Sequence, residues 1–197
     1  MTGMAVISNI RHRAVALAME LPLAACLLIL DVVARVLPHA PNLTPMAASA
    51  LFAGVIFRSR LLALTTPIAA MALGDLVLGA YDWRVAGVVY VSLALPALAG
   101  MWGRRLRTPG LLVLLVPLAL SSSVTFFVTT NFAVWAFGGM YADDFTGLLH
   151  CYAAALPFLR NSVIGDLFWT AALFGGWRIM IHAAGVRSSS NRAWTTA

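Results

Sequence analysis

The side chains that could bind a ligand or take part in catalysis are concentrated in three polar segments between long apolar runs. The first reads LPHAPNLTP (37–45), the second reads GAYDWR (79–84), and the third is a longer stretch between residues 131 and 161. Amide, hydroxyl, imidazole and indole groups of this kind hold small molecules through hydrogen bonds and stacking. The candidate binding residues in these segments are His39, Asn42, Thr44, Tyr81, Asp82, Trp83, Asn131, Trp135, Tyr141, His150, Tyr152 and Asn161.

Two aspartates inside apolar runs join this candidate set. Asp75 lies in LGDLVLG (73–79) and Asp166 in IGDLFWTAALFG (164–175), which together form a weak internal repeat. An ionisable group within a membrane helix costs about 2.5–3.5 kcal/mol on insertion scales, so each needs a partner or a use. Two interpretations stay open. Each aspartate either caps a broken helix or bonds a nearby hydroxyl, or it anchors the segments that frame a ligand site.

Three other charged residues interrupt the first apolar run. Asp31 and Arg35 are spaced i, i+4 with the acid first, which predicts mutual neutralisation on one helix face. Glu20 has no local partner, so we expect it to accept a hydrogen bond from another helix or to contact a partner protein.

Catalytic chemistry has little support in the spacing. His150 and Cys151 are adjacent, and adjacent residues on a helix point in different directions, so they do not form a nucleophile–base pair by spacing alone. No zinc-protease, C-x-x-C, nucleophile-elbow or phosphate-loop pattern occurs. His39, His150 and Cys151 are the candidates for a transition-metal site, without a supporting local pattern. We expect a protein that is not an enzyme and has no intrinsic cofactor.

The amino-acid composition predicts that the apolar runs lie in a lipid bilayer. Of the 197 residues, 61% are hydrophobic and 10% are charged, whereas soluble domains carry about 25% charged residues. The net charge of +6 comes from arginines scattered between apolar runs. They form no basic stripe for nucleic acid, so the expected partner is the bilayer and not nucleic acid.

Six apolar segments fit the roughly 20 helical residues that cross a bilayer, although the second is short and either begins in the preceding loop or crosses only partly. The predicted spans are Ala14–Leu37, Pro45–Phe57, Leu61–Ala80, Val85–Trp102, Gly110–Thr130 and Asn161–Ile181. Arginines cluster at the termini and in alternate connections, which predicts cytoplasmic termini. The predicted fold is therefore all-α: a cytoplasmic segment 1–13, a six-helix transmembrane domain 14–182 and a cytoplasmic tail 183–197.

This topology puts the three polar segments on the outer side. Proline restricts φ and lowers the entropy lost on binding, so LPHAPNLTP is predicted to form one wall of an outward-facing pocket that holds His39 and Asn42 in place. Loops longer than about 12–15 residues are usually functional or disordered. The third segment is too hydrophobic for disorder, so we expect it to fold back over the outer mouth, with a partial helix in FTGLLHCYAAALPFL.

The residues LPHAPNLTPMAASALFAGVIF, PIAAMALGDLVLGAYDW and TTNFAVWAFGGMYADDFTGLLHCYAAALPFLRNSVIGDLFWTAALFG carry a family resemblance. They resemble bacterial six-span transport proteins that are similar to the substrate-binding S components of energy-coupling-factor vitamin transporters and to solitary cobalamin transporters. The resemblance implies multi-pass insertion in the bacterial cytoplasmic (inner) membrane.

The resemblance also implies a ligand and a partner. It implies a vitamin, cobalamin or a related cobamide, held by the loops after helices 1, 3 and 5, and an ATPase and coupling module docked near Ala14 and Ala18. The cobalamin transporters carry a cobalt-binding cysteine in the region that reads LGAYDWR here, which has none. Cobalt ligation would fall to His39, His150 or Cys151, or would not occur.

Three functions are therefore weighed. The first is uptake of a small vitamin-like molecule, alone or with an energising ATPase partner. The second is a membrane scaffold or assembly protein whose outer loops bind another protein. The third is a small membrane enzyme that uses His150 and Cys151.

Overall fold

The structure is a computed structural model that describes residues 2–79, 81–105 and 108–194. These residues form six helices and no strand. The helices are α1 (Thr2–Val36), α2 (Met46–Ile56), α3 (Arg60–Leu78), α4 (Trp83–Gly103), α5 (Thr108–Phe137) and α6 (Phe145–Trp194). The all-helical prediction is confirmed.

Three of the described helices are long and apolar enough to cross a membrane: Arg60–Leu78, Trp83–Gly103 and the part of α5 from Gly110 to Phe137. Their surfaces carry large apolar side chains, among them Leu76, which is 81% exposed, and Val113, which is 76% exposed. Contiguous apolar surface of this kind marks a membrane or an interaction surface.

Short polar side chains set several helix starts. Ser59 accepts a hydrogen bond from the Leu62 amide at the start of α3. Asp82 does the same for the amides of Arg84 and Val85 at the start of α4. Such caps satisfy amides that have no partner within the helix, which is why Ser and Asp favour these positions.

The short helix α2 occupies the centre of the bundle and contacts all five other helices. It is about 16 Å long at 1.5 Å per residue, and its residues are apolar apart from Ser49, as expected for a buried helix. Its closest neighbour is α4, because a Cβ at Gly54 would overlap the Ala97 carbonyl and a Cβ at Gly100 would overlap the Leu51 carbonyl. Glycine at both positions lets the two backbones pack directly.

The two ends of the bundle differ in character. We call the end with the 57–59 connection and Arg104 the arginine end, and the end with the connections 37–45, 79–82 and 138–144 the cavity end. At the arginine end, the Glu20 carboxylate accepts hydrogen bonds from the amides of Arg58 and Ser59, and Arg104 donates to the Phe57 carbonyl. The partner of Glu20 is therefore the connection between α2 and α3, whereas the sequence predicted another helix or a partner protein.

The third polar segment differs from its prediction. The partial helix predicted in FTGLLHCYAAALPFL is confirmed, because α6 begins at Phe145. The segment does not fold back as a long loop, however, because α5 continues to Phe137 and α6 runs on without a break. Asp144 caps α6 by accepting a hydrogen bond from the Gly147 amide at 2.6 Å, and the leucines and alanines that follow favour a helix. Only residues 138–144 remain as a connection.

The helices also outrun the predicted boundaries at both termini. Helix α1 already begins at Thr2, within the predicted segment 1–13, and α6 continues to Trp194, within the predicted tail 183–197. The last three residues of that tail lie outside the described residues.

Candidate functional site

A cavity of about 260 Å³ lies at the cavity end, between the first connection and helices α1 to α6. This is slightly below the usual 300–1,000 Å³ of small-molecule sites. Its apolar lining residues are Met46, Ala47, Met71, Leu78, Leu93 and Phe126. Its polar lining residues are Arg35, His39, Asn42, Thr44, Ser123, Ser162 and Asp166.

The first connection forms one wall of this cavity, as its prolines and polar groups predicted. Asn42 has φ +63°, a left-handed conformation that Asn adopts more readily than most residues. The Asn161 side-chain amide donates a hydrogen bond to the Pro41 carbonyl at 3.0 Å. A Cβ at Gly165 would lie only 3.3 Å from the Leu43 Cα, so this glycine lets the connection rest closely on α6.

His39 presents a hydrogen-bond acceptor at this wall. Its Nδ1 lies 2.6 Å from the Leu37 carbonyl oxygen. A carbonyl oxygen only accepts, so Nδ1 carries the hydrogen and Nε2 of the neutral ring is left as an acceptor. His39 and Asn42 are both exposed, whereas Thr44 is half-buried.

Arg35 pairs with α3 and not with its own helix. Its guanidinium donates to Asp75 Oδ1 at 2.5 Å, and the Tyr90 hydroxyl donates to Asp75 Oδ2 at 2.9 Å. Gly74 makes room for this pair, because a Cβ there would overlap the Arg35 side chain. Both carboxylate oxygens of Asp75 are thus occupied, and Asp75 does not line the cavity.

The predicted pair of Asp31 with Arg35 is therefore wrong. Asp31 is fully buried, and its Oδ1 accepts a hydrogen bond from the Ser49 hydroxyl of α2 at 2.8 Å. Its Oδ2 has no hydrogen-bond partner among the described residues, and neither has the buried Nε of Arg35. The i, i+4 spacing permits a pair within α1, but Arg35 forms its ion pair with Asp75 of α3 instead.

Asp166 differs from Asp75 in its surroundings. Only 6% of it is exposed, and it lines the cavity. Its Oδ2 accepts a hydrogen bond from the Ser123 hydroxyl at 2.5 Å, which is the one side-chain hydrogen bond to Asp166 among the described residues. No arginine of the described residues forms an ion pair with it.

The described residues of the second connection are not among the residues that line the cavity. Burial, and after it the nearby Asp75 carboxylate, raise the pKa of Tyr81 to about 12, so this hydroxyl stays protonated. Asp82 caps α4, and Trp83 is 76% exposed. The Arg84 guanidinium lies 5.6 Å from the Trp83 ring and 5.5 Å from the Phe137 ring, which ties this connection to the end of α5.

The candidates around the third connection contact one another across α5 and α6. The Trp135 indole donates to the Ala142 carbonyl at 2.9 Å, and the Tyr152 hydroxyl donates to the Val128 carbonyl at 2.7 Å. Cys151 is buried, its thiol donates to the Asn131 carbonyl at 3.4 Å, and burial raises its pKa.

Two further candidates and the Asn131 amide complete this region. The Asn131 side-chain amide donates to the Phe127 carbonyl of its own helix. Tyr141 is half-buried, and His150 is exposed. None of these residues lines the cavity.

Four predicted residues therefore come together at the cavity: His39, Asn42, Thr44 and Asp166. A fifth, Asn161, positions their wall through Pro41. The predicted convergence of the three polar segments is met only in part at this cavity: the first segment lines it, Asn161 of the third segment holds that wall, and the second segment contributes no lining residue. The other predicted candidates lie outside the cavity wall: Asp75, Tyr81, Asp82, Trp83, Asn131, Trp135, Tyr141, His150 and Tyr152.

The sequence interpretation missed three polar lining residues, Arg35, Ser123 and Ser162. Arg35 was assigned to Asp31, and the serines lie within apolar helices, where a hydroxyl usually bonds its own backbone. Ser162 does so with the Phe158 carbonyl. The run of three serines at 121–123 was the available signal, because so many hydroxyls in an otherwise apolar helix indicate a polar neighbour.

The candidate metal ligands do not gather. His39 lines the cavity, whereas Cys151 is buried against Asn131 and its neighbour His150 is exposed. Within the part of the chain that the structure describes, no three His, Cys, Asp or Glu side chains could hold a metal ion together.

Another cavity of about 390 Å³ lies at the arginine end. Its walls are apolar apart from Arg178 and His182, so it lacks the convergent polar groups that orient a ligand. The cavity beside the first connection is the better candidate site.

Neither a curated protein nor a solved structure matches this chain. The model of one family matches residues 16–188, and that family is described as a family of unknown function (DUF6580). The match covers at least part of every helix and the whole candidate site, and the chain therefore belongs to this family.

Proposed function

We propose that this chain is a six-span membrane protein with both termini in the cytoplasm, that it binds a small molecule at its outer face, and that it serves the uptake of that molecule. The observation that carries the proposal is the cavity beside the first connection. It joins an apolar floor to a few convergent polar groups, which is the usual make-up of small-molecule sites.

The topology of the proposal has two supports. Three of the described helices are long and apolar enough to span a membrane, and most of the arginines fall in segments assigned to the end opposite the cavity, as the positive-inside rule expects for a cytoplasmic face. The resemblance to vitamin transporters supports a bacterial cytoplasmic membrane and a vitamin-like ligand. The sequence has no phosphate-loop motif, so in a coupled mechanism ATP hydrolysis belongs to a partner module.

The volume of the cavity bears on the choice of ligand. About 260 Å³ is at the small end for a ligand site. This favours a small vitamin, or one end of a larger one, over a whole cobalamin molecule, which is several times larger. Among the three candidate cobalt ligands, His39 is the one in the cavity wall. The cobalt of a cobamide would therefore be bound by the free Nε2 of His39, with most of the cobamide outside the cavity.

A screen of detergent-purified protein against vitamins and cobamides tests the proposal, with thermal unfolding as the readout. A true ligand raises the unfolding temperature because it binds the folded state alone. Ala47→Phe places a ring in the cavity and should abolish this shift, whereas Leu76→Phe, on an 81% exposed position of α3, should preserve it.

Cells that express the chain should take up the labelled ligand, Leu76→Phe should preserve this uptake, and Ala47→Phe should abolish it. The proposal fails if no compound shifts the unfolding temperature, or if the shift survives in a folded Ala47→Phe protein.

An alternative function is a membrane scaffold whose outer connections bind another protein. The observation in its favour is the apolar surface at the second and third connections, where Trp83 is 76%, Met140 71% and Phe145 72% exposed. Exposed aromatic side chains are frequent anchors of protein interfaces. This function predicts a stoichiometric partner that co-purifies with the chain and is lost on Trp83→Ala.

A catalytic role has less support. The buried Cys151 thiol has a raised pKa and donates to a backbone carbonyl, which is typical of an inert structural cysteine. Cys151→Ser should therefore leave ligand binding and uptake intact.

A further inference from the structure

The charges around the cavity are unequal. Two of its lining residues, Arg35 and Asp166, are of charged types. The Arg35 guanidinium is already neutralised by Asp75, whose second oxygen is bonded to Tyr90. Asp166 has the Ser123 hydroxyl as its side-chain partner and no ion pair among the described residues. The cavity therefore holds one acidic group without a compensating cation.

An uncompensated acid is costly in this position. Asp166 is 6% exposed, and a buried carboxylate is destabilising unless a cation or several hydrogen-bond donors surround it. Only its Oδ2 is occupied, by Ser123. A ligand that brings positive charge to Asp166 would remove this cost on binding.

The apolar part of the cavity suits the same type of ligand. Phe126 offers an aromatic ring, which attracts cations at its face. Met46 and Met71 offer polarisable thioethers that adapt to the shape of a hydrocarbon group. The remaining polar wall, with His39 and Asn42, offers hydrogen-bonding groups without a fixed negative charge.

We propose that the cavity selects a small organic cation, a protonated amine or quaternary ammonium with an aromatic or aliphatic body, whose charge lies beside Asp166 and whose body packs against Phe126 and the two methionines. The inference rests on the proposed small-molecule function and defines its substrate class. An anionic ligand would face Asp166, while the one arginine of the cavity is already engaged by Asp75.

Three probes of nearly equal size and different charge test the inference: benzylamine, benzyl alcohol and benzoate. Their binding to the full chain in detergent is measured at neutral pH by calorimetry and by thermal shift. Benzylamine should bind most tightly, and Ala47→Phe should abolish its binding.

Asp166→Asn keeps an acceptor for Ser123 but removes the charge, so it should weaken benzylamine binding about tenfold or more, the size of one lost charge-assisted hydrogen bond. Asp143→Asn removes the same charge from an exposed position in the third connection and should leave the affinity unchanged. The thermal unfolding of each variant without a probe shows whether it is folded. Asp166→Glu, which retains the charge, should restore part of the affinity.

The outcomes separate this inference from the proposed function. If benzyl alcohol or benzoate binds as tightly as benzylamine, or if folded Asp166→Asn binds benzylamine normally, the cation inference is overturned and small-molecule binding stands. The cation inference is also overturned, and small-molecule binding stands, if a vitamin binds the unaltered protein and Asp166→Asn equally well but does not bind Ala47→Phe. If neither a probe nor a vitamin binds in a way that Ala47→Phe abolishes, both proposals are overturned.

Discussion

Helices α3 and α6 contain the same dipeptide followed by leucine, Gly74-Asp75 and Gly165-Asp166, in two different settings. Both oxygens of Asp75 are occupied, by the Arg35 guanidinium and the Tyr90 hydroxyl. Asp166 has a hydroxyl partner on one oxygen and lines the cavity. The residues that face a carboxylate, more than its own motif, therefore separate a structural acid from one that is available to a ligand.

The glycines of the two pairs extend the comparison. Gly74 makes room for the Arg35 side chain, and Gly165 makes room for the backbone of the first connection at Leu43. The pair on α3 thus secures the end of α1, while the pair on α6 supports the wall of the cavity. Three predictions test this division of roles, beginning with the largest expected effect.

Removal of the charge should affect stability at Asp75 far more than at Asp166. Asp75→Asn leaves Arg35 without its anion in a partly buried place, with side chains 21% and 15% exposed. Loss of one partner of a fully buried pair costs 3–5 kcal/mol, so after discounting for this exposure we expect a loss of about 2–3 kcal/mol in the free energy of unfolding. Asp166→Asn retains an acceptor for Ser123 and should change the free energy of unfolding by less than about 1 kcal/mol.

Denaturation in detergent measures both values. The double variant Arg35→Gln/Asp75→Asn is the control, since removal of the orphaned charge should recover part of the loss. Equal destabilisation by the two single variants would contradict the comparison.

The glycines should follow the same order with smaller effects. Gly74→Ala forces the Arg35 side chain to move and should lower the free energy of unfolding by about 1–2 kcal/mol. Gly165→Ala brings a methyl group to 3.3 Å from the Leu43 Cα, a contact that a small shift of the connection relieves. We expect Gly165→Ala to lower the free energy of unfolding by less than about 1 kcal/mol. It should change ligand affinity more than Gly74→Ala does.

A double-mutant cycle checks this mechanism. Gly74→Ala should have little further effect in an Arg35→Gln background, because the side chain that it displaces is then shorter and uncharged. An unchanged cost in that background would mean that Gly74 acts through another contact.

The last test concerns the phenol that completes the Asp75 site, where the expected effect is similar to that of Gly74→Ala. Tyr90→Phe removes the hydrogen bond to Asp75 Oδ2 and should cost about 1.5 kcal/mol, since the acceptor is charged. Tyr152→Phe is the matched control, because its hydroxyl donates to the neutral carbonyl of Val128 at a more exposed site and should cost about 0.5–1 kcal/mol. In an Asp75→Asn background, Tyr90→Phe should lower the free energy of unfolding by less than it does in the unaltered protein. An equal loss would mean that the Tyr90 hydroxyl stabilises the protein through a contact other than Asp75.

The helices were predicted more accurately than the contacts between them. Asp82 and Ser59 stand before apolar runs and cap α4 and α3 as their residue types favour. The region after Asn131 was predicted to fold back with a partial helix in FTGLLHCYAAALPFL, and that helix is confirmed because α6 begins at Phe145 behind the Asp144 cap. The extension of α5 to Phe137 and the unbroken continuation of α6 into the last predicted span were not predicted.

The site was predicted only where a local rule was sufficient. The prolines of the first connection indicated a rigid wall, and His39, Asn42 and Thr44 lie in the wall of the cavity. Arg35 was assigned to Asp31 because i, i+4 spacing is a local rule, and no such rule reveals that Asp75 of another helix lies closer. Ser123 was missed for the same reason, since its partner Asp166 is 43 residues away.

The sequence by itself determined that the chain is helical and apolar enough for a membrane, and it predicted six spans, whereas three of the described helices are long and apolar enough to cross one. It also predicted that most arginines and the polar connections lie at opposite ends. These properties depend on hydrophobicity, helix length and charge counted along the chain. Only the tertiary structure decided which acid meets the arginine, which acid lines the cavity, and which connections remain outside it. Such pairings depend on how each helix is rotated and packed against its neighbours, and the spacing of residues within one helix carries no information about that rotation.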